Sequence, residues 1–175
     1  YLLVGGFVPY KREELVLEAF RDLDARLLVA GDGPGRAVLQ ARAPANVRFL
    51  GRVSDEELED LYSRCRALIY PQEEDFGIVP VEAQAAGRPV IAFGSGGATE
   101  TVLPLGASRD RPATGLWFSP QTPAALVEAV RRFEGAASEF EPAAIRAHAE
   151  RFAVPRYHHE LRAAVAEAME RGPLV

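Results

Sequence analysis

The chain has 175 residues, 48% hydrophobic and 26% charged; a domain of that length buries roughly 70% of its unfolded surface, so one globular unit with a sizeable core is expected. Lys and Arg total 20 against 25 Asp and Glu, a formal charge of −5, which leaves no overall basic field for nucleic acid or anionic lipid, and neither is expected as a partner. The single cysteine, Cys65, excludes an internal disulfide framework and a Cys-rich metal site, and with no apolar run near the roughly 20 residues of a membrane span and no signal-peptide pattern, a cytoplasmic location is expected.

Short apolar runs alternate with amphipathic stretches, the pattern of a parallel sheet covered by helices on both faces. The first strand, 1–5, opens on Tyr1 with no initiating Met, so the chain is expected to continue a longer protein. Helix 12–22 follows, with Leu15, Val16, Ala19, Phe20 and Leu23 on one face. Strand 26–31, helix 35–42 and strand 47–51 come next. Ser54, with Glu57 three residues on, opens helix 54–65 as a capping box. Strand 67–71 leads through a polar loop to helix 78–86, where Pro80 is tolerated because the first turn has no partner for the N–H it lacks. Strand 89–93, the run Gly94-Ser95-Gly96-Gly97, a short helix over 99–103 and a loop over 104–114 bring the chain to a sixth strand, 115–119. Helices are expected over 123–134, 142–152 and 155–171, with the pattern broken over 136–141. The fold class is a Rossmann-like α/β domain built on an open parallel sheet of about six strands.

In such a sheet ligands bind beyond the carboxyl ends of the strands, so loops 6–11, 32–34, 72–77 and 94–97 line one rim. Glycine lets backbone amides approach a phosphate, and helix N-termini add partial positive charge. The densest constellation runs from Glu74 to Glu82, one carboxylate on a loop and another early in a helix. Spacing alone also fits a solvated Glu73-Glu74-Asp75 run and a Glu82 favoured by the helix dipole. Gly31-Asp32-Gly33-Pro34-Gly35-Arg36 approaches a dinucleotide fingerprint but has Arg36 where the third small residue belongs, and a plain tight turn is the other reading. Lys11, the only lysine, stands in the first rim loop. Asp22-Leu23-Asp24 has a metal-binding spacing at the solvent end of a helix, His158 and His159 diverge on the last helix, and Cys65 closes another; all read as surface or packing residues.

Four segments in this order resemble the nucleotide-sugar-binding half of glycosyltransferase family 4, retaining enzymes of the GT-B fold: Val8-Pro9-Tyr10-Lys11, Gly31-Asp32-Gly33-Pro34, Phe49-Leu50-Gly51-Arg52-Val53, and Glu74 to Glu82 continued by Ala83 to Ala92. Glu74 and Glu82 match the family's EX7E motif, and Gly96-Gly97-Ala98-Thr99-Glu100 its GGxxE. The resemblance covers nearly the whole chain. It implies a metal-independent hexosyltransferase with Lys11 neutralising the departing diphosphate and Glu74 bonded to hydroxyls of the donor sugar, together the catalytic pair. It further implies donor contacts from Gly33, from the amides of Phe76, Gly77, Ile78 and Val79 at the diphosphate, from Glu82 at the ribose, and from Val53 and Asp55 at the base.

Phe7 stands where that family usually has an arginine beside the diphosphate. The wording Pro9-Tyr10-Lys11-Arg12 and Phe76 to Gln84 resembles a mannosyltransferase-like branch, which implies GDP-mannose as donor, with Asp55 accepting guanine N–H groups. No cofactor is expected. The acceptor site, and with it any peripheral contact with a membrane, would belong to an N-terminal domain that this chain does not contain, so the single domain spanning 1–175 is expected to bind donor without turning it over. A non-catalytic nucleotide-binding or protein-interaction module on the same fold is the second reading.

Overall fold

The computed structural model describes residues 1–107 and 111–171. Six strands, β1 (Leu2–Gly5), β2 (Leu27–Gly31), β3 (Val47–Gly51), β4 (Leu68–Tyr70), β5 (Val90–Phe93) and β6 (Gly115–Phe118), form one parallel sheet in the order β3-β2-β1-β4-β5-β6. The helices are α1 (Glu13–Phe20), α2 (Arg36–Arg42), α3 (Asp55–Arg64), α4 (Ile78–Ala85), α5 (Ala98–Thr101), α6 (Pro123–Gly135), α7 (Pro142–Ala149) and α8 (Val154–Arg171). The loop expected over 104–114 includes residues 108–110, which lie outside the described residues; before them, Pro104 bridges to Gly115.

Strand alternation builds a core on each face. Leu3, Leu27, Val29, Ile69, Ile91 and Leu116 pack with α1 and α6, while Leu2, Leu68, Tyr70, Val90 and Ala92 pack with Tyr62 of α3 and Ala83 of α4. Right-handed crossovers explain the split. From β1 the chain steps through β2 to β3 in one direction, and from β3 it crosses to β4, β5 and β6 in the other. The winding therefore reverses between β1 and β4, and the rim above that junction is the switch point at which open α/β sheets take ligands. β1 and β4 pair only at Leu2 and Leu68, whereas β1 and β2 pair from Leu2–Leu28 through Gly5–Gly31.

The helix ends differ from the sequence pattern where tertiary contacts intervene. α1 starts at Glu13 because Arg12 adopts a left-handed conformation, φ 58°, while its Nε donates to Gln121 Oε1 at 3.0 Å. The stretch 142–152 divides into α7 and a 3-10 turn, Glu150–Phe152. The short helix sits one residue earlier than expected and ends at Thr101. The capping box of α3 forms in full, with Ser54 N–H on Glu57 Oε2 at 2.7 Å and Glu57 N–H on Ser54 Oγ at 3.2 Å. α8 has no buried residue, and no described helix is long and apolar enough to cross a membrane.

Candidate functional site

The loops after β1 and β4 meet at the switch point through two side chains. Lys11, at the end of a 3-10 turn (Pro9–Lys11), forms an ion pair with Glu74 Oε1, the two side chains being 18% and 24% exposed. Tyr70, buried at the end of β4, donates its hydroxyl to Glu74 Oε2. Burial pushes the Glu74 carboxyl up, but the bonds from Lys11 and Tyr70 outweigh it and hold the group below the ordinary carboxylate value. Burial and the adjacent Glu74 raise the Tyr70 phenol, so it stays a donor. Glu74 is thus an ionised acceptor with both oxygens oriented.

Beside this pair, Gly77 turns the chain into α4 with φ 81°, and a Cβ there would collide with the Tyr70 hydroxyl. No side chain caps α4, and the amides of Phe76, Gly77, Ile78 and Val79 have no acceptor among the described residues. Free amides at the positive end of a helix dipole are built to take an anion. Gly97 N–H donates to Glu74 O at 2.7 Å and closes loop 94–97 onto this loop, an approach that a Cβ on Gly97 would block against Phe76 and Asp75.

Glu82 lies one turn further along α4, where its Oε2 accepts the Tyr62 hydroxyl at 2.9 Å. It lines a cleft of about 630 Å³ between α3 and α4, with Asp55, Leu58 and Glu59 on the opposite wall. Asp55 is exposed as the first residue of α3, and Val53 is half-buried against the core of that face. The sequence-derived candidates therefore fall into two adjoining groups, Lys11 and Glu74 with the amides of 76–79, and Glu82 with Asp55.

Gly33 is a packing position in this structure: its N–H donates to Asp32 Oδ1 at 2.9 Å, and a Cβ would collide with the Gly6 carbonyl. Phe7 belongs to the core, its ring 5.7 Å from that of Phe49 and its N–H on Glu13 Oε1 at 2.9 Å. His158 and His159 are exposed on α8. Burial pushes the Cys65 thiol up to about 11, leaving a packed, unreactive group. No group of three or more His, Cys, Asp or Glu among the described residues is placed to hold a metal ion. Sequence reasoning missed Tyr62 and Tyr70, because an aromatic residue in an apolar pattern reads as core and its hydroxyl leaves no mark on the periodicity.

An open parallel sheet with acids and a free helix N-terminus at its switch point is a Rossmann-like frame suited to an anionic ligand, and the fold is shared with solved GT-B glycosyltransferases. The structure superposes on Anabaena Alr3699/HepE in complex with UDP with a TM-score of 0.79 and 20% identity, over 95% of this chain and 49% of that one. Residues 1–147 match the family described as Glycosyl transferases group 1, and the chain belongs to it. It is 35% identical over 138 residues to the D-rhamnosyltransferase WbpZ of Pseudomonas aeruginosa, covering 75% of this chain and 35% of that protein. It is also 35% identical over 125 residues to a GDP-mannose-dependent monoacylated alpha-(1-6)-phosphatidylinositol monomannoside mannosyltransferase of Corynebacterium glutamicum, covering 62% of this chain and 31% of that protein. The chain thus spans about a third of the length of these curated relatives.

Proposed function

We propose that this chain is the donor-binding domain of a retaining, metal-independent hexosyltransferase of family 4 that transfers mannose from GDP-mannose to a glycan or lipid acceptor. The observation that carries the proposal is the Lys11–Glu74 pair at the switch point, set beside the unpartnered amides of 76–79. The diphosphate lies on those amides with Lys11 against its distal phosphate, where negative charge accumulates as the glycosidic bond breaks through an oxocarbenium-like transition state. Glu74, kept ionised by its two donors, accepts hydroxyls of the sugar. Glu82 accepts those of the ribose, and Asp55 with Val53 meets the base across the cleft. Gly33 contributes closeness of the rim loops rather than a free amide.

Mannose is supported by the relative that is named as GDP-mannose-dependent, and by Asp55, whose carboxylate suits the N–H edge of guanine. The acceptor site belongs to a preceding domain, and alone this domain binds without turning over. Calorimetric titration of the chain with GDP-mannose, UDP-glucose and the bare diphosphates tests the assignment, with GDP-mannose expected to bind tightest. Equal or tighter binding of UDP-glucose overturns the choice of donor. Binding of bare diphosphate with no gain from the sugar favours the second reading, a non-catalytic module. That reading draws on Phe7, a core residue with no cation to offer the rim.

A further inference from the structure

α3 is a polar helix with one buried residue, Tyr62. The Tyr62 ring is 4% exposed and packs in the core formed with Leu68, Tyr70, Ala83 and Ala92. Its hydroxyl emerges at the α3–α4 cleft, and a buried phenol requires a hydrogen-bond partner. Glu82 Oε2, 2.9 Å away, is that partner. Glu82 itself is carried on the exposed side of α4. Left alone, such a side chain samples many rotamers, and ordering it costs conformational entropy. A carboxylate accepts on both oxygens. With Oε2 engaged by Tyr62, Oε1 has no partner among the described residues and borders the cleft shared with Asp55.

We propose that Tyr62 is a positioning residue for donor binding: from its core-anchored ring it holds Glu82 in the one rotamer that turns Oε1 toward the ribose hydroxyls. The inference rests on the reading of Glu82 as the ribose contact. Because the ring belongs to the core beneath α3 and Glu82 to α4, the same bond fixes the spacing of the two helices, and so the width of the cleft between ribose and base contacts. Burial raises the phenol above its ordinary value, so it stays protonated and donates to Glu82 at neutral pH.

The test uses the 175-residue chain, the tighter binding of GDP and UDP, and the 2′,3′-dideoxy analogue of that nucleotide. The wild type is expected to prefer the ribose form by roughly 10- to 100-fold, the range for a hydrogen bond to a charged group, and Glu82→Gln to lose most of that preference. Tyr62→Phe keeps the ring, and is expected to lose roughly 3- to 10-fold of the preference while binding the dideoxy analogue as the wild type does. A Tyr62 that serves packing alone weakens both ligands in parallel or neither, and either result overturns the proposal. If Tyr62→Phe keeps the full preference while Glu82→Gln loses it, positioning by Tyr62 falls and the ribose reading stands. If the wild type shows no preference, or Glu82→Gln retains it, both fall. Should Tyr62→Phe not fold, the Tyr62 hydroxyl proton is followed by NMR in the wild type. Slow exchange with solvent that becomes fast in Glu82→Ala, which leaves no acceptor, supports the bond, and fast exchange in the wild type overturns it.

Discussion

Lys11 and Glu74 neutralise each other across the switch point, which changes what removing either one does. A diphosphate that draws the Lys11 ammonium leaves Glu74 with its bond from Tyr70 and an oxygen free for a sugar hydroxyl. Lys11→Ala should therefore lower affinity for a nucleoside diphosphate roughly 10-fold, the lower end of the charge-assisted range because the pair must separate first, and leave the monophosphate nearly unchanged. The wild-type preference for diphosphate should also shrink as salt is raised, since the rim is open to solvent. Glu74→Ala has the opposite signature: it frees Lys11, so bare diphosphate binds at least as well as before while the nucleotide sugar binds more weakly. Calorimetry on both variants checks this, and parallel loss of both ligands in Glu74→Ala would show that Glu74 supports the loop and does not read the sugar.

At the scale of elements, glycines decide how closely the rim loops approach. Gly97→Ala drives a methyl group into the backbone of Phe76 and Asp75, and overpacking against backbone costs about 1–3 kcal/mol. It should lower both the melting temperature and diphosphate affinity, because the displaced loop carries the amides of 76–79. Gly6→Ala, in the neighbouring rim loop with nothing near its Cβ, is the matched control, expected to stay within about 0.5 kcal/mol of wild type. On the other side of Gly97, its carbonyl accepts Thr101 Oγ at 3.0 Å, and the Thr101 carbonyl lies 3.1 Å from His148 Nε2 of α7. Burial disfavours the charged imidazole and lowers His148 below the ordinary value of 6.5. As pH falls through that value, the unfolded chain takes up a proton that the folded chain still refuses, so His148 removes stability progressively below about pH 6.5. His148→Gln should flatten the fall in melting temperature between neutral and mildly acid pH, and an unchanged slope would show that the imidazole takes up its proton alike in the folded and unfolded chain.

For the molecule as a whole, the sheet and most helices were legible because their signals are local. Alternating apolar runs give the strands, and Ser54 with Glu57 marks the start of α3 within two residues of the observed geometry. The two acids and the lysine were legible by their motif, but their present partners were not. Tyr70 and Tyr62 meet Glu74 and Glu82 only once β4 and α3 have docked, and Arg12 takes its left-handed conformation beside Gln121, over a hundred positions away. Long-range contacts of this kind leave no trace in spacing. One such contact, the single Leu2–Leu68 pairing of β1 with β4, divides the sheet into two leaves of three strands, stitched together at the amino-terminal end. Lys11 hangs from one leaf, and Glu74 with α4 from the other. A diphosphate held by both acts as a clasp on the open end, so part of its binding free energy, about 2.7 kcal/mol at 100 times Kd, becomes resistance to prying the leaves apart. Amide exchange should accordingly slow on ligand binding at Val4, Gly5, Ile69 and Tyr70, on the open end beyond this stitch, more than at the β2–β3 pairing. Uniform slowing across the sheet would mean that the leaves already move as one, and that the ligand fastens nothing the fold had left open.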